Sequence, residues 1–499
     1  MEIVEGILTS NQCGHIILLN HDLINCDYIK WRLKMFIGRR SEVDFLKSRY
    51  EKSNGQLIVI YGRRRIGKTE LLREFCKDKP HVFYSCKECT DAEQLSSFSG
   101  RMLRNTQASK YINKFNDWEQ AFKFVTELPQ QGKKLIVIDE FPYMVHANSS
   151  IPSLIQNLWD ELLIREDVMI ILCGSAMSFI EKEILAEKNP MYGRATGILK
   201  MNQMDFGDAV KFFPDFDFKD KILAYSILGG IPHYLKQFDG NLSIEENIKS
   251  NILTRGSVLY NEVEFLMRQE LRETSVYNTL ITTIAMGNTK LNDIFQKTQI
   301  DRAKISVYLR NLMDLNILSR EFPITDGIKS TANVQRGLYN IVDNFFSFWY
   351  RFIFPNLSEL EAGDVDGVFE YSVKPFIDSY SSKAFENVCI QCLRKKNTKG
   401  DLPFRFRKIG RWWEKGCEID IMAFGDREVS IIGECKWQST KMGISDLEHL
   451  KSKIKRTGAA QPYYYLFSKS GFNSELINLA GNDEHLYLIG LTEIEKVFL

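Results

Sequence analysis

The stretch that most constrains the fold of this chain is "LIVIYGRRRIGKTELLREF", residues 57–75. An apolar run of strand length is followed by the spacing GxxxxGKT and then by an amphipathic helix pattern. Gly62 and Gly67 would let the loop backbone wrap closely around phosphate oxygens, because glycine has no Cβ atom. The stretch therefore predicts a strand, a phosphate-binding loop and a helix, in that order.

The residues of this loop predict an ATP site. Lys68 is expected to reach the β- and γ-phosphates, and the Thr69 hydroxyl is expected to hold Mg²⁺. The other predicted nucleotide-binding residues of the loop and of the helix start are Gly62, Arg65, Ile66, Gly67 and Glu70. Arginines 63–65 crowd the loop, and two interpretations stay open: contact with the nucleotide, or pairing with acidic partners.

The second half of such a site should be an apolar strand that ends in an acid, and "KKLIVIDEFPYM" (133–144) has this pattern. Asp139 is expected to hold Mg²⁺, directly or through water. Glu140 is placed to orient or deprotonate the attacking water, and a solvated acid at the strand end is the alternative.

Two polar residues further along the chain are weaker candidates for this site. Ser175 ends the apolar strand "VMIILCGSAM" and is predicted to contact the nucleotide by sensing the γ-phosphate, although a helix N-cap fits the pattern equally well. Arg194 in "NPMYGRATG" is a candidate arginine finger or sensor, and an ordinary surface arginine is the alternative.

Composition bounds the class of protein. The chain has 499 residues, which suggests three domains at ~150 residues each. Hydrophobic content is 44%, charged content is 26% and the formal net charge is +1, so the overall charge neither indicates nor excludes nucleic acid. No window approaches the ~18 uninterrupted apolar residues of a membrane span, and the N-terminus lacks the basic region of a signal peptide. We therefore expect a cytoplasmic protein without a membrane partner.

The ten cysteines show no regular spacing, which is typical of reduced cytosolic thiols. Two CxxC pairs, Cys86/Cys89 and Cys389/Cys392, could in principle join in a four-cysteine zinc site. They lie far apart in the sequence, and the second pair falls within a helical pattern. Buried free thiols are the favoured interpretation.

The middle of the chain has the element order of a winged helix-turn-helix. Helical patterns over 274–287, 290–298 and 302–316 precede two strand patterns that flank a polar, glycine-containing loop. The third helix could enter a major groove with four polar residues facing DNA: Arg302, Lys304, Ser306 and Arg310. The alternative is a structural lid that packs on the ATP-binding domain, and both interpretations stay open.

A second candidate site lies in "GCEIDIMAFGDREVSIIGECKW", residues 416–437. A hairpin over this stretch that pairs residue 424 with 429 would put Asp420 opposite residue 433, next to Glu434. The two carboxylates would then form an oxygen-ligand site for Mg²⁺, and Lys436, on the same strand face as Glu434, would orient or deprotonate the attacking water. A plain salt bridge between Glu434 and Lys436 is the alternative.

Upstream, "SSKAFENVCIQCL" (381–393) adds Glu386 on a predicted helix as a further catalytic candidate. The order of helix acid, strand acid and ExK resembles the restriction-endonuclease-like PD-(D/E)xK superfamily. Ile419 stands where that motif has proline, which weakens the resemblance only slightly.

Local charge supports DNA as a partner of this region. Residues 394–415 contain nine Lys or Arg and two Asp or Glu, a surplus of seven positive charges. Trp412 and Trp413 interrupt this basic segment and could stack on bases or pack the hairpin.

Five segments carry a family resemblance: "MFIGRRSEVDFL" (35–46), "IYGRRRIGKTELL" (60–72), "LIVIDEFPYM" (135–144), "LCGSAMSFIE" (172–181) and "YGRATGILKM" (192–201). They resemble the archaeal-type ATPase family, a branch of P-loop ATPases similar to the signal-transducing and AAA+ groups. The resemblance implies a RecA-like parallel sheet flanked by helices, with residues 36–39 near the adenine. The aromatic stretch "NFFSFWYRFIFPN" (344–356), with "RWW" and "EID", resembles the C-terminal domain of unknown function that this family often carries.

The sequence thus predicts an α/β protein with a RecA/AAA-like P-loop domain, a winged helix and a restriction-endonuclease-like domain. The predicted segments are an extension that could be dispensable, the ATPase domain, a helical lid, the winged helix, an aromatic bridge and the nuclease-like domain: 1–34, 35–205, 206–273, 274–343, 344–375 and 376–499. The expected function is ATP-regulated DNA binding and cleavage. The rivals are a signalling-type ATP switch whose C-terminal domain only binds a partner, and a DNA-binding regulator without cleavage. The sequence does not determine the oligomeric state, and a homo-oligomer stays open.

Overall fold

The computed structural model describes residues 36–129, 132–187, 189–325, 336–414, 416–425, 430–454 and 462–499. The chain divides into two compact units, residues 1–37 and 38–499. The second unit contains every element described below. The predicted extension over residues 1–34 lies outside the described residues.

A five-stranded parallel sheet forms the first part of the second unit. Its strands are β1 (Gln56–Tyr61), β2 (His81–Ser85), β3 (Lys134–Asp139), β4 (Val168–Gly174) and β5 (Gly197–Lys200), in the spatial order β2-β3-β4-β1-β5. The central strands are apolar and buried along almost their whole length, as expected for a parallel sheet covered on both faces. The predicted parallel sheet is confirmed.

Helices join these strands. They are α1 (Arg40–Tyr50), α2 (Lys68–Cys76), α3 (Asp91–Met102), α4 (Trp118–Lys123), α5 (Phe141–Ala147), α6 (Ile151–Leu158) and α7 (Met177–Phe179). Helices α6 and α7 continue as wider π-helical turns over Trp159–Leu163 and Ile180–Ile184. Because the strands are parallel, the loops that follow β1 and β3 meet at one edge of the sheet.

A helical segment follows, and then three helices with a small sheet. The helical segment consists of α8 (Phe206–Ala209), α9 (Phe218–Leu228), α10 (Pro232–Leu235), α11 (Ile244–Ile248) and α12 (Glu262–Glu270). The next elements are α13 (Thr274–Ala285), α14 (Leu291–Thr298), α15 (Arg302–Asp314), β6 (Leu318–Glu321) and β7 (Leu338–Ile341). Strands β6 and β7 are antiparallel, and the apolar stripe of α15, formed by Ile305, Leu309 and Leu312, is buried. This order of elements agrees with the predicted one.

The aromatic bridge is a buried helical connection. It contains α16 (Asn344–Phe348), π-helical turns over Trp349–Ile353 and Phe369–Val373, a 3₁₀ turn over Phe354–Asn356, α17 (Leu357–Glu361) and α18 (Val365–Val368). The Trp349 indole donates a hydrogen bond of 2.8 Å to the Tyr260 carbonyl, and the Tyr350 hydroxyl donates one of 2.7 Å to Asn278. The bridge therefore packs against the helices around α12 and α13.

The last part is a mixed sheet with a long helix. Its elements are α19 (Ile377–Lys399), β8 (Lys408–Glu414), β9 (Cys417–Phe424), β10 (Ser430–Lys436), α20 (Ile444–Ile454), β11 (Pro462–Ser468), α21 (Ser474–Ala480), β12 (Leu486–Gly490) and α22 (Leu491–Phe498). Strands β8, β9 and β10 are antiparallel, whereas β10, β11 and β12 are parallel, in the order β12-β11-β10-β9-β8. Helix α22 reaches back to the helical segment, where the rings of Phe498 and Phe206 meet edge to face at 4.9 Å.

The predicted register of the β9–β10 hairpin is wrong by one residue. Ser430 lies opposite Phe424, and Gly433 lies opposite Ile421, because the turn is one residue longer than the four-residue turn expected from the sequence. Extending this register by one pair brings Asp420 opposite Glu434, on the same face of the sheet. The correction therefore brings the two predicted carboxylates onto one face.

None of the helices in the described part of the chain is long and apolar enough to cross a membrane.

Candidate functional site

The phosphate loop connects the end of β1 to the start of α2. Gly67 has a φ of 92°, a left-handed conformation that favours glycine, and it stands directly before α2. A Cβ atom on Gly62 would lie 2.5 Å from the Met201 carbonyl oxygen, so only glycine fits there. The loop conformation thus depends on both glycines of the GxxxxGKT pattern.

The Lys68 side chain folds back onto its own loop. Its amine donates hydrogen bonds to the carbonyl oxygens of Gly62 at 2.8 Å and Arg63 at 3.0 Å, and the residue is buried. Burial lowers the pKa of the Lys68 amine, while nearby acidic groups act in the opposite direction. The amine is therefore held at the loop by groups that an anion could replace.

Thr69 and Asp139 contact each other across the site. The Thr69 hydroxyl donates a hydrogen bond of 2.8 Å to the Asp139 carboxylate, which is buried at 3% exposure. A hydroxyl and a carboxylate are hard oxygen donors, the kind that Mg²⁺ prefers. This donor pair fits the magnesium ion expected from the sequence.

Glu140 and Ser175 form a second contact beside it. The Glu140 carboxylate accepts hydrogen bonds from the Ser175 hydroxyl at 2.9 Å and from the Ser175 amide at 3.3 Å. Glu140 itself has a left-handed backbone, with φ at 51°. The helix N-cap interpretation of Ser175 is wrong, because Ala176 is the N-cap of α7. Glu140 is likewise partly buried and hydrogen-bonded, so it is not a freely solvated acid.

The remaining arginine candidates are all paired with carboxylates. Arg194 makes a half-exposed ion pair of 2.9 Å with Asp160, which fits the surface interpretation. Arg63 pairs with Asp343 at 2.5 Å, Arg64 with Glu270 at 3.5 Å, and Arg65 with Glu262 at 3.0 Å. In this conformation the loop arginines follow the acidic-partner interpretation, and the nucleotide-binding role of Arg65 stays a prediction.

Two neighbours of the loop were not found by reasoning from the sequence. The buried Arg39 guanidinium donates a hydrogen bond of 3.1 Å to the Ile66 carbonyl, while its amide donates one of 3.0 Å to Asp208. Pro232, in the stretch "GGIPHYL", lies 3.6 Å from where a Cβ atom of Gly67 would be. Two glycines followed by a proline between helical patterns were the available signal. The family resemblance had implied only that residues 36–39 lie near the nucleotide.

The second candidate site lies where β9 and β10 separate. The Asp420 carboxylate accepts a hydrogen bond of 2.8 Å from the Cys435 amide. Glu434 is buried at 4% exposure, and each of its oxygens faces a lysine: Lys436 at 2.7 Å and Lys453 at 2.9 Å. Lys453, on α20, was missed because nothing in the helical pattern indicated that its amine reaches the strand.

The pKa values of the carboxyl groups in this site diverge. Burial and the neighbouring Glu434 raise the pKa of Asp420 to about 6. Burial acts in the same direction on Glu434, but the two lysine contacts prevail and lower its pKa. Burial and Asp420 raise the pKa of Glu386, on α19, to about 8. The site therefore places two carboxyl groups whose pKa values are raised beside one whose pKa is lowered.

Glu386 is joined through Arg411 to acidic residues of β6 and β9 rather than to Glu434. The Arg411 guanidinium lies 3.3 Å from the Glu386 carboxylate and 3.3 Å from Glu321 of β6, and it also pairs with Glu418. Across the described ranges, no group of three or more His, Cys, Asp or Glu side chains is arranged to hold a metal ion. The predicted Mg²⁺ site thus rests on two carboxylates, Asp420 and Glu434.

The structure decides part of the predictions made for the two tryptophans and for the cysteines. Trp412 is buried in the core of the mixed sheet, so the packing interpretation is correct for this residue. The Trp413 indole donates a hydrogen bond of 3.1 Å to the Arg336 carbonyl, and the Ile324 amide donates one of 2.9 Å to the Arg411 carbonyl. The ends of the β6–β7 loop therefore dock on the outer edge of β8.

Cys389 is a buried free thiol of α19.

A parallel sheet with a phosphate loop after β1, a buried lysine on that loop and a Thr69–Asp139 contact after β3 defines the class of P-loop ATPases. Residues 36–238 match the family model of an ATPase domain predominantly from Archaea, and residues 349–449 match a model described as archaea bacterial proteins of unknown function. The chain belongs to the archaeal-type P-loop ATPase family that combines these two domains.

A relative that this chain matches over most of its length supports this membership. The protein "Uncharacterized protein MJECL04" of Methanocaldococcus jannaschii is 33% identical over 442 residues, which cover 87% of this chain and 96% of that protein. "Uncharacterized ATP-binding protein MJ0423" of the same organism is 42% identical over 45 residues, or 9% of this chain and 76% of that protein. The Walker-type ATPase PABY2304 of Pyrococcus abyssi has a similar solved structure, with 20% identity and a TM-score of 0.49, covering 63% of this chain and 96% of that chain.

Proposed function

We propose that this ATPase binds ATP with Mg²⁺ at the phosphate loop and uses the nucleotide to control DNA binding and DNA cleavage by its C-terminal domain. The observation that carries the cleavage proposal is the meeting of Asp420, Glu434 and two lysine amines at one end of the mixed sheet. Two carboxylates that could hold a metal ion, beside amines that could orient a water molecule, suit metal-assisted hydrolysis of a phosphodiester.

The ATPase step assigns a task to each residue of the first site. Lys68 exchanges its two carbonyl contacts for the β- and γ-phosphates, and Thr69 with Asp139 would hold Mg²⁺, which neutralises phosphate charge when bound. Both Ser175 contacts use the Oε2 atom of Glu140, so the other carboxylate oxygen would orient the attacking water.

At the second site, the lysine contacts restrict how a metal can be held. Both oxygens of Glu434 accept a hydrogen bond from a lysine, so Mg²⁺ at Glu434 and Asp420 would lie close to two amine charges and would favour movement of one lysine. Lys436 has the more accessible side chain, at 32% exposure against 12% for Lys453. We therefore assign the moving amine to Lys436, which is then free to orient the water, while Lys453 keeps Glu434 ionised and in place.

DNA contact is proposed for α15. Its polar residues Arg302, Lys304, Ser306 and Arg310 are exposed, outside the buried stripe. The order of three helices and an antiparallel strand pair supports a winged helix, in which this helix would read the major groove. Because Ile324 and Arg336, at the two ends of the β6–β7 connection, hydrogen-bond to residues of β8, we expect α15 rather than the wing to make the main contact.

A signalling-type switch without cleavage is the second candidate function. The ion pairs of Glu434 with Lys436 and Lys453 favour it, because they satisfy the carboxylate without a metal. A switch of this kind would still change conformation with nucleotide, but its C-terminal domain would only bind a partner.

The test is incubation of the full chain with supercoiled, linear and branched DNA, with and without Mg²⁺ and ATP. We expect cleavage that needs Mg²⁺, changes with ATP and disappears in Asp420→Asn. Lys68→Ala separates the two sites, since it should alter only the ATP dependence. If the wild type cleaves no DNA and takes up no Mg²⁺ beyond the level of Asp420→Asn, the cleavage proposal fails and the switch function replaces it.

A further inference from the structure

Each of the three consecutive arginines of the phosphate loop holds an acid from a later part of the chain. Arg63 pairs with Asp343, the residue before α16, while Arg64 and Arg65 both pair with residues of α12. Arg64 also donates a hydrogen bond of 2.8 Å to Gln269. The loop that should receive phosphates is therefore bound to the elements that lead into and out of the predicted winged helix.

Two of these acids are buried. The Glu262 side chain is 3% exposed and lies 3.0 Å from Arg65, and burial raises its pKa against the effect of Arg65. The Asp343 side chain is fully buried, and it also accepts the amides of Phe345 and Phe346 at the start of α16. These carboxylates depend on the arginines for their compensation, because buried charges need a partner.

Arg63 and Arg65 differ in how easily each could exchange its carboxylate partner for another anion. Arg63 is 12% exposed and lies over the Phe346 ring at 4.3 Å, so it is fixed by packing as well as by charge. Arg65 is 45% exposed and has a left-handed φ of 69°. Among the described residues, no aromatic ring packs against its guanidinium. Arg65 is therefore the arginine that is freer to turn toward a new anion.

A cleft beside the loop is lined by the other two arginines, Arg63 and Arg64, together with Ser175, Leu266, Glu270 and Phe346. It joins α12 and α16 to Ser175, the residue that holds Glu140. Phosphates bound at Lys68 would bring several negative charges close to Glu262 and Glu270 and would attract the same arginines.

We propose that Glu262 competes with the nucleotide phosphates for Arg65, so that phosphate binding opens the Arg65–Glu262 pair and loosens α12. The buried residues Val263, Leu266 and Met267 keep α12 packed, so the change is local and not a detachment. Asp343 stays paired with Arg63 and anchors α16. Nucleotide binding would thus change the helix that leads into the predicted winged-helix region. This inference rests on nucleotide binding alone and does not depend on DNA cleavage.

The sign of the effect follows from charge. Glu262→Gln removes a negative charge beside the phosphates and releases Arg65, so it should tighten binding of a non-hydrolysable ATP analogue at least about 5-fold. The gain for ADP should be smaller, because ADP carries less negative charge. Glu264→Gln is the matched control, since Glu264 lies on the same helix and pairs locally with Arg268. We expect the control to bind as the wild type does.

The test combines calorimetric titration of the full chain with hydrogen exchange of residues 262–270. In the wild type, the ATP analogue should raise exchange in α12, and Glu262→Gln should show raised exchange before nucleotide is added. If Glu262→Gln does not fold, Glu270→Gln serves instead, because its carboxyl is 34% exposed and its pairing with Arg64 predicts a smaller change of the same sign.

Two results would overturn the inference. One is an unchanged or weaker affinity of the glutamate variants for the ATP analogue relative to Glu264→Gln. The other is exchange in α12 that does not respond to nucleotide. A protein that shows the expected response and cleaves no DNA would keep this inference while losing the proposed nuclease function.

Discussion

The two five-stranded sheets both present acids near strand ends, but the groups that contact those acids differ. Asp139, the last residue of β3 in the parallel sheet, is contacted by the uncharged hydroxyl of Thr69. Glu434, on β10 of the mixed sheet, is contacted by the amines of Lys436 and Lys453. A cation could approach the first acid without disturbing an ion pair, whereas at the second acid it would compete with two lysines. The first site is therefore closer to an arrangement that binds a cation than the second.

The comparison is tested most strongly at Glu140. Glu140→Gln should bind ATP as the wild type does yet hydrolyse it about 100- to 10,000-fold more slowly, since only the water-activating carboxylate changes. The measurement is steady-state ATP turnover alongside titration with ATP. Equal turnover in the two proteins would remove Glu140 from the mechanism.

Lys68 tests whether the parallel-sheet site depends on a single charge. Lys68→Ala should weaken ATP binding by about 100-fold, because the loop loses its charged contact to the β- and γ-phosphates. Titration calorimetry with ATP and Mg²⁺ measures this directly, and the thermal midpoint without nucleotide serves as the folding control. A variant that binds ATP normally would contradict the loop assignment.

Glu434 and Lys436 separate a metal site from a plain salt bridge. Glu434→Ala should weaken Mg²⁺ binding at least about 10-fold and stop cleavage, because one of two anionic ligands is lost. Lys436→Ala should leave Mg²⁺ binding intact or tighter and still stop cleavage, because only the amine that handles water is removed.

Calorimetric Mg²⁺ titration of the nucleotide-free full chain distinguishes these outcomes, with Asp420→Asn as the reference for uptake at other sites. A salt bridge predicts that both variants destabilise the protein by similar small amounts and that neither changes Mg²⁺ uptake.

The pH dependence of Mg²⁺ uptake sharpens the comparison further. Asp420 has a pKa raised to about 6, so below this pH it is protonated and cannot serve as an anionic ligand. Mg²⁺ affinity at the mixed sheet should therefore fall as pH drops through 6, by up to about 10-fold per pH unit. Titrations between pH 5 and pH 8 measure the effect, and an affinity that does not vary with pH would argue against Asp420 as a ligand.

The smallest expected effect concerns DNA affinity. Arg310→Ala on α15 should weaken DNA binding only a few-fold and reduce the slope of log affinity against log salt by about 1. Fluorescence anisotropy over a salt series measures both quantities. An unchanged slope would show that α15 does not contact DNA phosphates and would favour the lid interpretation.

The first site could be predicted because its determinants are local in sequence. The GxxxxGKT spacing fixes the loop, and the apolar run before Asp139 fixes the strand that faces it. Contacts that join distant segments could not be predicted. Asp343 is 280 residues from Arg63, and no period or spacing relates them.

At the second site the predicted strand register is wrong, and the roles of its residues stay predictions. Sequence alternation identified Glu434 and Lys436 on one strand face, but the length of the turn decides which residue faces Asp420. Lys453 was missed because the helix pattern of α20 indicates which residues are buried. It does not indicate where a long lysine side chain will reach. Domain boundaries and residue roles beyond these contacts stay predictions.

The edge-to-face contact between Phe206 and Phe498 has a consequence for protein synthesis. Phe206 is fully buried, yet the ring that helps to cover it lies on α22, at the far end of the described chain. At about 5–20 residues per second, a ribosome needs about 15 to 60 seconds to make the intervening chain. During that time Phe218 and Tyr225 of α9 can already pack against Phe206, but the part of its ring that Phe498 contacts stays uncovered until α22 emerges.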